Sequence, residues 1–345
     1  MRRLLAVLAV LVLLAVAAAG VVGLRFQAFV HTPFGGPGER DVEVAAGETL
    51  AELSHALEAA GVVSDGARFY LYGRLRHADR RLKRGEYGFD GALSPEQVLA
   101  ELLSGKVKLY RVTIPEGLRM DEIAELWGRA GLADPQALLA AMRDPKLMHK
   151  LGVPAPTAEG FLFPDTYLEP KGRRPAKLVA EMVQHFQSAW AKVRALPGGD
   201  PKLDELQAVT LASIVEKETG RAEERPRISC VFHNRLRIGM RLQTDPTVIY
   251  AVWLAQGHFD GNLTKKMLLT PHPYNTYTTA GLPPGPIASP GAAALEAALH
   301  PSQCQDLYFV AKGDGTHAFC PTLVCHNANV KRFQLDPYLK ARARR

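Results

Sequence analysis

The segment Leu211-Ala-Ser-Ile-Val-Glu-Lys-Glu-Thr-Gly220 is the most informative stretch of this chain. It ends a helix that is apolar nearly all round from Ala208 to Val215, and this pattern predicts a buried central helix. The helix stops at Gly220, just after Glu216 and Glu218. A carboxyl group at the negative end of a helix dipole, behind aliphatic side chains, should have a raised pKa. Such a group stays protonated near neutral pH, which is what the acid in glycosidic-bond cleavage must do.

The two glutamates cannot act as a carboxylate pair. They are two positions apart, so they point about 200° away from each other on the helix. Periodicity does not choose between them, because the helix is apolar on every face. Glu218 is closer to the Gly220 stop and so feels the end of the dipole more. The plain alternative is that one glutamate pairs with Lys217 or Arg221 at the surface.

The segments that follow supply candidate partners for such an acid. Helices are predicted from about Leu203 to Thr219, from Arg225 to Arg237 and from Asp245 to Leu254, with Asp245 as an N-cap before Pro246. A long loop rich in Pro, Gly and Thr runs from Pro271 to Pro290, before a helix to Leu299 and a strand at Leu307–Val310.

Polar residues in these segments form two groups. Arg235, Gln243 and Asp245 lie around the second helix junction, and Asn275 sits between two tyrosines of the loop, beside Tyr274. Aromatic rings with a side-chain amide suit sugars, which stack on an apolar face and form hydrogen bonds at their edges. Packing is the competing explanation for loop tyrosines.

A weak internal repeat appears in the N-terminal half at a shift of 70 residues. The segment Val44–Leu53 aligns with Ile114–Ile123, and each copy predicts a strand, a glycine turn, an amphipathic helix and a glycine stop at Gly61 or Gly131. The first helix opens with the capping box Thr49-x-x-Glu52. Duplication and coincidence explain the repeat equally well.

The N-terminus predicts a membrane anchor. Met1-Arg2-Arg3 precedes an uncharged apolar run from Leu4 to Leu24, which is long enough to span a bilayer. The arginines would stay cytoplasmic, which places the body of the chain outside the cytoplasm. A cleaved signal peptide with Ala17–Ala19 as its processing site is the alternative, and both interpretations give the same location.

Four cysteines fit that oxidising location as disulfides: Cys230, Cys304, Cys320 and Cys325. The last two are close enough in sequence to close a short loop, but the sequence does not settle the pairing. A zinc site made by His317, Cys320, Cys325 and His326 is an alternative, although its spacing matches no standard zinc motif.

Composition narrows the function only slightly. The chain has 345 residues, 47% of them hydrophobic, as in an ordinary globular protein. Its net charge of +7 suits an anionic partner, although a solvated basic surface explains it equally well. The sequence has no Gly-x-Ser-x-Gly, no phosphate-binding glycine loop and no His-Glu-x-x-His, so serine hydrolases, nucleotide enzymes and zincins have no support.

Taken together, the motifs resemble the MltG/YceG family of endolytic peptidoglycan lytic transglycosylases. The resemblance covers nearly the whole chain and joins the N-terminal anchor to several long motifs. These motifs are Glu159–Tyr167, Ala212–Thr219, Val231–Tyr250, Tyr274–Tyr277, Gly281–Ile287 and His326-Asn327. Cys320 and Cys325 depart from the family pattern, which raises the prospect of a local disulfide beside the site.

The sequence patterns and the resemblance together predict an α+β fold in four segments. Residues 1–25 are the cytoplasmic stub and transmembrane anchor, 26–40 a linker, 41–110 a small LysM-like domain and 111–340 the catalytic domain. The resemblance also implies location at the bacterial cytoplasmic membrane, with the catalytic domain on the extracytoplasmic side. Peptidoglycan strands are the implied substrate and peptidoglycan synthases are candidate partners, with no cofactor, metal or nucleic acid.

The resemblance also assigns roles to residues. The family's catalytic glutamate is the second of the Glu-Lys-Glu motif, which is Glu218 in this sequence. The same carboxyl group is expected to act first as acid and then as base, leaving a 1,6-anhydro end. Our candidate substrate-binding residues are Gln243, Asp245, Tyr274 and Asn275. A murein-binding scaffold with a degenerate site, and a hydrolase that leaves reducing ends, are the alternatives.

Overall fold

The computed structural model describes residues 2–199 and 202–336. One compact unit comprises the described residues up to Tyr110 together with Leu168–Gly172, and the other comprises Arg111–Tyr167 and the described residues from Arg173 onward. Both units combine helices with short strand pairs, which confirms the predicted α+β class. Met1 of the predicted anchor segment and residues 337–340 of the predicted catalytic domain lie outside the described residues.

The first unit packs helices against an antiparallel strand pair in which Glu39 lies opposite Asp90 and Val44 opposite Gly85. The predicted capping box is present, with the Thr49 side chain and Glu52 each bonded to the other's backbone. The elements are α1 (Arg2–His31), β1 (Glu39–Val44), α2 (Leu50–Ala59), α3 (Gly66–Leu75), β2 (Gly85–Asp90) and α4 (Pro95–Ser104).

Among the described residues, α1 is the one helix long and apolar enough to cross a membrane, and its apolar part is not buried in the protein. This agrees with the predicted single-pass anchor. The helix runs on to His31, however, so the first part of the predicted 26–40 linker is helical. The reason is that Phe29 and Val30 are buried in the hydrophobic core of the first unit. The LysM-like character of this unit stays a prediction.

The chain passes between the units through β3 (Tyr110–Thr113) and β4 (Thr166–Glu169), which pair with each other. The second unit is mainly helical. Its helices are α5 (Met120–Arg129), α6 (Pro135–Met142), α7 (Pro145–Lys150), α8 (Pro175–Arg194), α9 (Glu205–Glu218), α10 (Arg225–Arg237), α11 (Asp245–Gln256), α12 (Lys265–Leu269), α13 (Ala292–Leu299) and α14 (Leu323–Val330). An antiparallel pair completes it, β5 (Tyr308–Ala311) and β6 (His317–Cys320).

The central helix of the second unit is α9. Every side chain from Ala208 to Val215 is buried, and α9 contacts α10, α11 and α13. Asp204 starts the helix through a capping box with Gln207. The buried central helix predicted from the apolar pattern is therefore confirmed.

The two copies of the internal repeat have the same local structure. Gly47 and Gly117 both turn the chain with positive φ, at 86° and 76°, before α2 and α5. Gly61 and Gly131 then end these helices at φ values of 70° and 69°. Only glycine adopts this backbone conformation without a steric penalty, so the four glycines follow from the turns that both copies make.

Candidate active site

Helix α9 places Glu218 at its C-terminal end. The chain leaves the helix there because Thr219 is extended, with φ −146° and ψ 136°. Glu218 is partly exposed, whereas the helix behind it is buried. The rigid, close-packed part of α9 therefore holds the carboxyl group at a boundary between core and solvent.

Glu216 and Glu218 lie in different environments, as their spacing on the helix predicts. The Glu216 carboxylate accepts hydrogen bonds from Arg225 Nη2 at 2.6 Å and from the backbone N–H of Gly291 at 3.0 Å. The same Arg225 atom also contacts Glu116 at 3.1 Å. Glu216 therefore forms a buried ion pair inside the protein. It does not form the surface pair with Lys217 or Arg221 that was the alternative from the sequence.

Glu218 accepts a hydrogen bond from the Thr244 hydroxyl. Burial raises the pKa of Glu218 to about 7, and the nearby charge of Asp245 adds to the increase. The Thr244 hydrogen bond and the charges of His317 and Arg235 act in the opposite direction. The raised pKa expected from the sequence is present, and its main cause is loss of hydration. A carboxyl with this pKa can give up and take back a proton near neutral pH.

The residue that caps α11 differs from the prediction. The sequence indicated Asp245 as the N-cap, but the N-cap is Thr244, and its side chain makes no capping hydrogen bond. The hydroxyl points to Glu218 instead, while the backbone N–H of Thr244 donates to Thr276 Oγ1 at 3.0 Å. The start of α11 thus positions the carboxyl group of α9.

Glu218 opens onto a cleft of about 480 Å³. Gln243 and Asp245, two of the four predicted binding residues, also line this cleft. The other lining residues are Arg235, Tyr277, Tyr308, Phe309, Val310, Ala311, His317, Leu323, His326, Val330 and Gln334. The cleft therefore joins a titratable carboxyl group to aromatic, amide and charged side chains, which is the mixture that a sugar polymer needs.

Gln243 has an unusual backbone. Its φ of 49° lies in the left-handed region, which side chains other than glycine seldom occupy. Its backbone N–H donates to the Thr276 carbonyl at 3.2 Å. This strained backbone conformation lies at the wall of the cleft, and strained residues cluster at functional sites in proteins.

Tyr274 and Asn275, the other two predicted binding residues, lie in the loop after α12 and do not line the cleft. Asn275 is buried, donates to the carbonyls of Met267, Leu268 and Thr270, and accepts from the Tyr277 N–H at 2.9 Å. The Tyr274 ring packs 5.0 Å from the Tyr250 ring. Both residues shape the loop, and Tyr277 is the member of the motif that lines the cleft.

Tyr277 and Thr244 are the residues that sequence reasoning missed. The Tyr277 hydroxyl donates to Asp245 Oδ1 at 2.7 Å, which orients that carboxylate. Tyr277 stood in the quoted Tyr274–Tyr277 motif, but nothing local indicated which tyrosine would face the cleft. The signal for Thr244 was its position directly before Asp245-Pro246, where a hydroxyl is a normal helix cap.

Arg235 forms a fixed positive charge in the cleft wall. It is buried, and its Nε donates to the Leu307 carbonyl at 2.7 Å while Nη1 donates to Leu242. Its guanidinium lies 5.5 Å from the centre of the Tyr308 ring, and that ring lies 5.3 Å from His326. Burial and Arg235 lower the pKa of His326, which favours its neutral form.

Both disulfides support this wall. Cys230 pairs with Cys304, and Cys320 pairs with Cys325. The second bond links β6 to the first turn of α14, which carries His326. It also uses both thiols that the zinc alternative required, so that alternative is wrong. His317, which the zinc alternative also required, has its Nδ1 2.7 Å from Glu224 Oε2.

Glu159, from the first family motif, is a buried carboxyl away from the cleft lining. It accepts hydrogen bonds from the Met120 backbone N–H and the Tyr250 hydroxyl, both at 3.1 Å. Burial raises its pKa to about 8. A neutral carboxyl suits this site, where it joins the start of α5 to α11.

Known proteins resemble this chain over most of its length. The endolytic murein transglycosylase of Bacillus subtilis (strain 168) is 29% identical over 316 residues, which cover 85% of this chain and 84% of that protein. The protein of that name in Streptococcus pneumoniae D39 is 30% identical over 305 residues. That match covers 78% of this chain but 54% of the pneumococcal protein, so the chain spans about half of its length.

A solved structure and a family model give the same assignment. The crystal structure of a yceG-like protein from Listeria monocytogenes matches with a TM-score of 0.57 and 32% identity, covering 85% of this chain and 99% of that one. The model of the YceG-like family matches residues 42–332, which include the central helix and every cleft-lining residue except Gln334. This chain belongs to the YceG-like family.

Proposed function

We propose that this chain is an endolytic murein transglycosylase, a lyase that cleaves the bond between N-acetylmuramic acid and N-acetylglucosamine inside glycan strands. Family membership and the names of its relatives support the substrate class. The observation that carries the chemistry is Glu218, whose carboxyl has a pKa of about 7 at the end of a buried helix and opens onto the cleft. Cleavage by this enzyme would end or shorten strands and so organise the cell wall.

The proposed mechanism uses the Glu218 carboxyl group twice. The protonated acid donates to the glycosidic oxygen as its bond to the muramic C1 breaks. The C6 hydroxyl of the same muramic residue then attacks the oxocarbenium-like C1, and the Glu218 carboxylate accepts the hydroxyl proton. The products are a 1,6-anhydro end and a free N-acetylglucosamine end, and no water is consumed.

Substrate binding is assigned to the cleft residues. Gln243 and Asp245 are proposed to form hydrogen bonds with the sugars, and Tyr277 is added because it orients Asp245. Tyr274 and Asn275 are proposed to act indirectly, by holding the loop that carries Tyr277. Catalysis is assigned to the domain predicted for residues 111–340, and glycan contact outside the cleft to the LysM-like domain of residues 41–110.

The proposed location follows from the N-terminal helix. α1 anchors the chain in the cytoplasmic membrane, and Arg2 and Arg3 hold the N-terminus on the cytoplasmic side. The rest of the first unit and all of the second unit then lie on the extracytoplasmic side, where peptidoglycan is the substrate and disulfides are stable. Peptidoglycan synthases at the same membrane are the proposed protein partners.

Product chemistry tests this function. Mass spectrometry of purified murein treated with the protein should find internal fragments that carry 1,6-anhydro ends. Reducing ends would identify a hydrolase, an alternative that Asp245 favours because it places a second carboxyl group in the cleft. Murein that is bound but stays intact would instead identify a scaffold with a degenerate site.

The pH profile tests the proton transfer. The protonated form of Glu218 starts the reaction, so kcat/KM should fall as pH rises through about 7. The Thr244 hydrogen bond lowers this pKa, so Thr244→Val should shift the alkaline limb to higher pH. The measurement is initial release of soluble fragments across the pH range. Thr244→Ser keeps the hydroxyl and should keep the native limb. If the alkaline limb of Thr244→Val stays at its native pH, the Thr244 hydrogen bond does not lower the pKa of Glu218.

A further inference from the structure

The first unit has an exposed surface whose chemistry the cleavage reaction does not use. We define the α3 surface as the exposed side chains of α3 and of the segment that follows it. Tyr70, Leu71 and Leu75 are 37%, 50% and 61% exposed. The exposed basic members are Arg68, Arg74, Arg76, Arg80, Arg81, Lys83 and Arg84. Between Arg74 and Arg84 the sequence has one carboxylate, Asp79, so the α3 surface is strongly positive as well as partly apolar.

The start of α3 lies beside the end of α1. The Arg68 guanidinium is 5.9 Å from the centre of the Phe29 ring, and Phe29 lies in the last turns of α1. The first charged residue after the apolar run of α1 is Arg25. Phe29 follows it by four residues, or about 6 Å along a helix. That distance is about the thickness of one headgroup layer, so the Arg68 contact lies at headgroup depth.

The far end of α3 is also close to α1. His31, the last residue of α1, contacts Glu96 at 3.1 Å. Glu96 lines a single pocket with Leu75, Arg76 and Arg81. The C-terminal end of α3 therefore lies near Glu96, the residue that contacts the last residue of α1.

The exposed side chains of α3 follow helical spacing. Arg68, Leu71 and Leu75 are three and four positions apart, so they share one face of the helix. Exposed leucines beside arginines are the pattern of a helix that lies in a membrane interface, with apolar groups below the headgroups and cations among the phosphates. A murein strand offers hydroxyl groups and acetamides instead, which would not favour exposed leucines.

We propose that the α3 surface docks on the anionic phospholipid headgroups of the bilayer that α1 crosses. The inference goes beyond glycan cleavage and rests on only the anchor part of the proposed function. Docking would hold the first unit against the membrane at two places, the helix α1 and the α3 surface. It would also set the height at which this unit meets the cell wall.

The test uses the full chain in vesicles whose acyl chains carry bromine, which quenches nearby tryptophan. Leu71→Trp places the probe on the α3 surface, and Glu43→Trp places it at an exposed position on β1. The tryptophan emission of the parent protein is subtracted from that of each variant, which leaves the emission of the added tryptophan. In vesicles with phosphatidylglycerol, the Leu71→Trp emission should be at least about twofold lower than without bromine, because interfacial side chains reach the acyl boundary. The Glu43→Trp emission should not change.

Charge reversal tests the electrostatic part. Arg80→Glu with Arg81→Glu, added to Leu71→Trp, should remove most of the quenching. The same loss is expected for Leu71→Trp alone in pure phosphatidylcholine or in high salt. Equal quenching in both lipids, or equal emission from the two probe positions, would overturn the proposal. A blue shift with soluble glycan strands but none with vesicles would assign the α3 surface to murein instead.

This test is independent of catalysis. It needs no cleavage, so an inactive protein still gives a valid result for the α3 surface. Flotation of the vesicles reports insertion of α1 separately. A chain that does not float would contradict the proposed anchor, whereas a floating chain with unquenched Leu71→Trp contradicts docking alone.

Discussion

Glu218→Gln is expected to lose murein cleavage by roughly 10²- to 10⁴-fold, the range that a general acid–base group contributes. The amide cannot donate a proton to the glycosidic oxygen or accept one from the C6 hydroxyl. It can still accept the Thr244 hydrogen bond, so the local structure should persist. The measurement is the initial rate of fragment release, with circular dichroism to show that the fold is unchanged.

Glu216→Gln is the matched control, because it makes the same chemical change two residues away on α9. Glu216 bonds to Arg225 and Gly291 inside the protein and does not line the cleft. Glu216→Gln should therefore keep the native rate of murein cleavage at temperatures where this variant is folded. Native activity in Glu218→Gln, or equal losses in both variants, would rule out the assigned role of Glu218.

Arg225→Met is expected to destabilise the second unit by about 3–5 kcal/mol, the usual cost of leaving a buried charge without its partner. The Arg225 side chain is 9% exposed and the Glu216 side chain 5% exposed, so water cannot replace the lost ion pair. For a unit of this size the unfolding midpoint should fall by roughly 10 °C. Thermal unfolding monitored by circular dichroism measures the change.

Arg221→Met is a control just before α10. Arg221 also forms an ion pair, with Glu223 at 3.8 Å, but the two side chains are 49% and 69% exposed. Its loss should cost less than about 1 kcal/mol, because solvent screens such a pair. Adding Glu216→Gln to Arg225→Met should restore much of the lost stability by removing the unpaired charge. Equal effects of Arg225→Met and Arg221→Met would show that burial does not govern the Arg225–Glu216 ion pair.

Local signals predicted the secondary structure well where they were strong. The capping box at Thr49 and Glu52 is present, and α10 has the predicted bounds, Arg225–Arg237. The error at Asp245 was one residue and came from expecting Pro246 at the first helical position, which Asp245 occupies instead. The linker was placed too early because a hydrophobicity pattern does not reveal that Phe29 and Val30 have a core to enter.

The choice between the two glutamates shows the limit of pattern reasoning. α9 is apolar on every face, so its own sequence does not say which side meets solvent. The resemblance to a family pointed to Glu218, and the tertiary contacts give the two carboxyls different surroundings. Arg225 and Gly291 enclose Glu216, while Thr244 and the cleft face Glu218. These partners come from other helices and loops.

Sequence patterns were sufficient to predict the α+β class, the apolar N-terminal helix, the buried central helix and a carboxyl group at its end. These features depend on residues that are neighbours in the chain, because helical periodicity, capping and apolar length are local. The cysteine pairing, the Thr244 contact and the position of Tyr277, not Tyr274, in the cleft wall came from tertiary contacts. Each of these joins residues distant in sequence or depends on how a loop packs, and no local pattern carries that information.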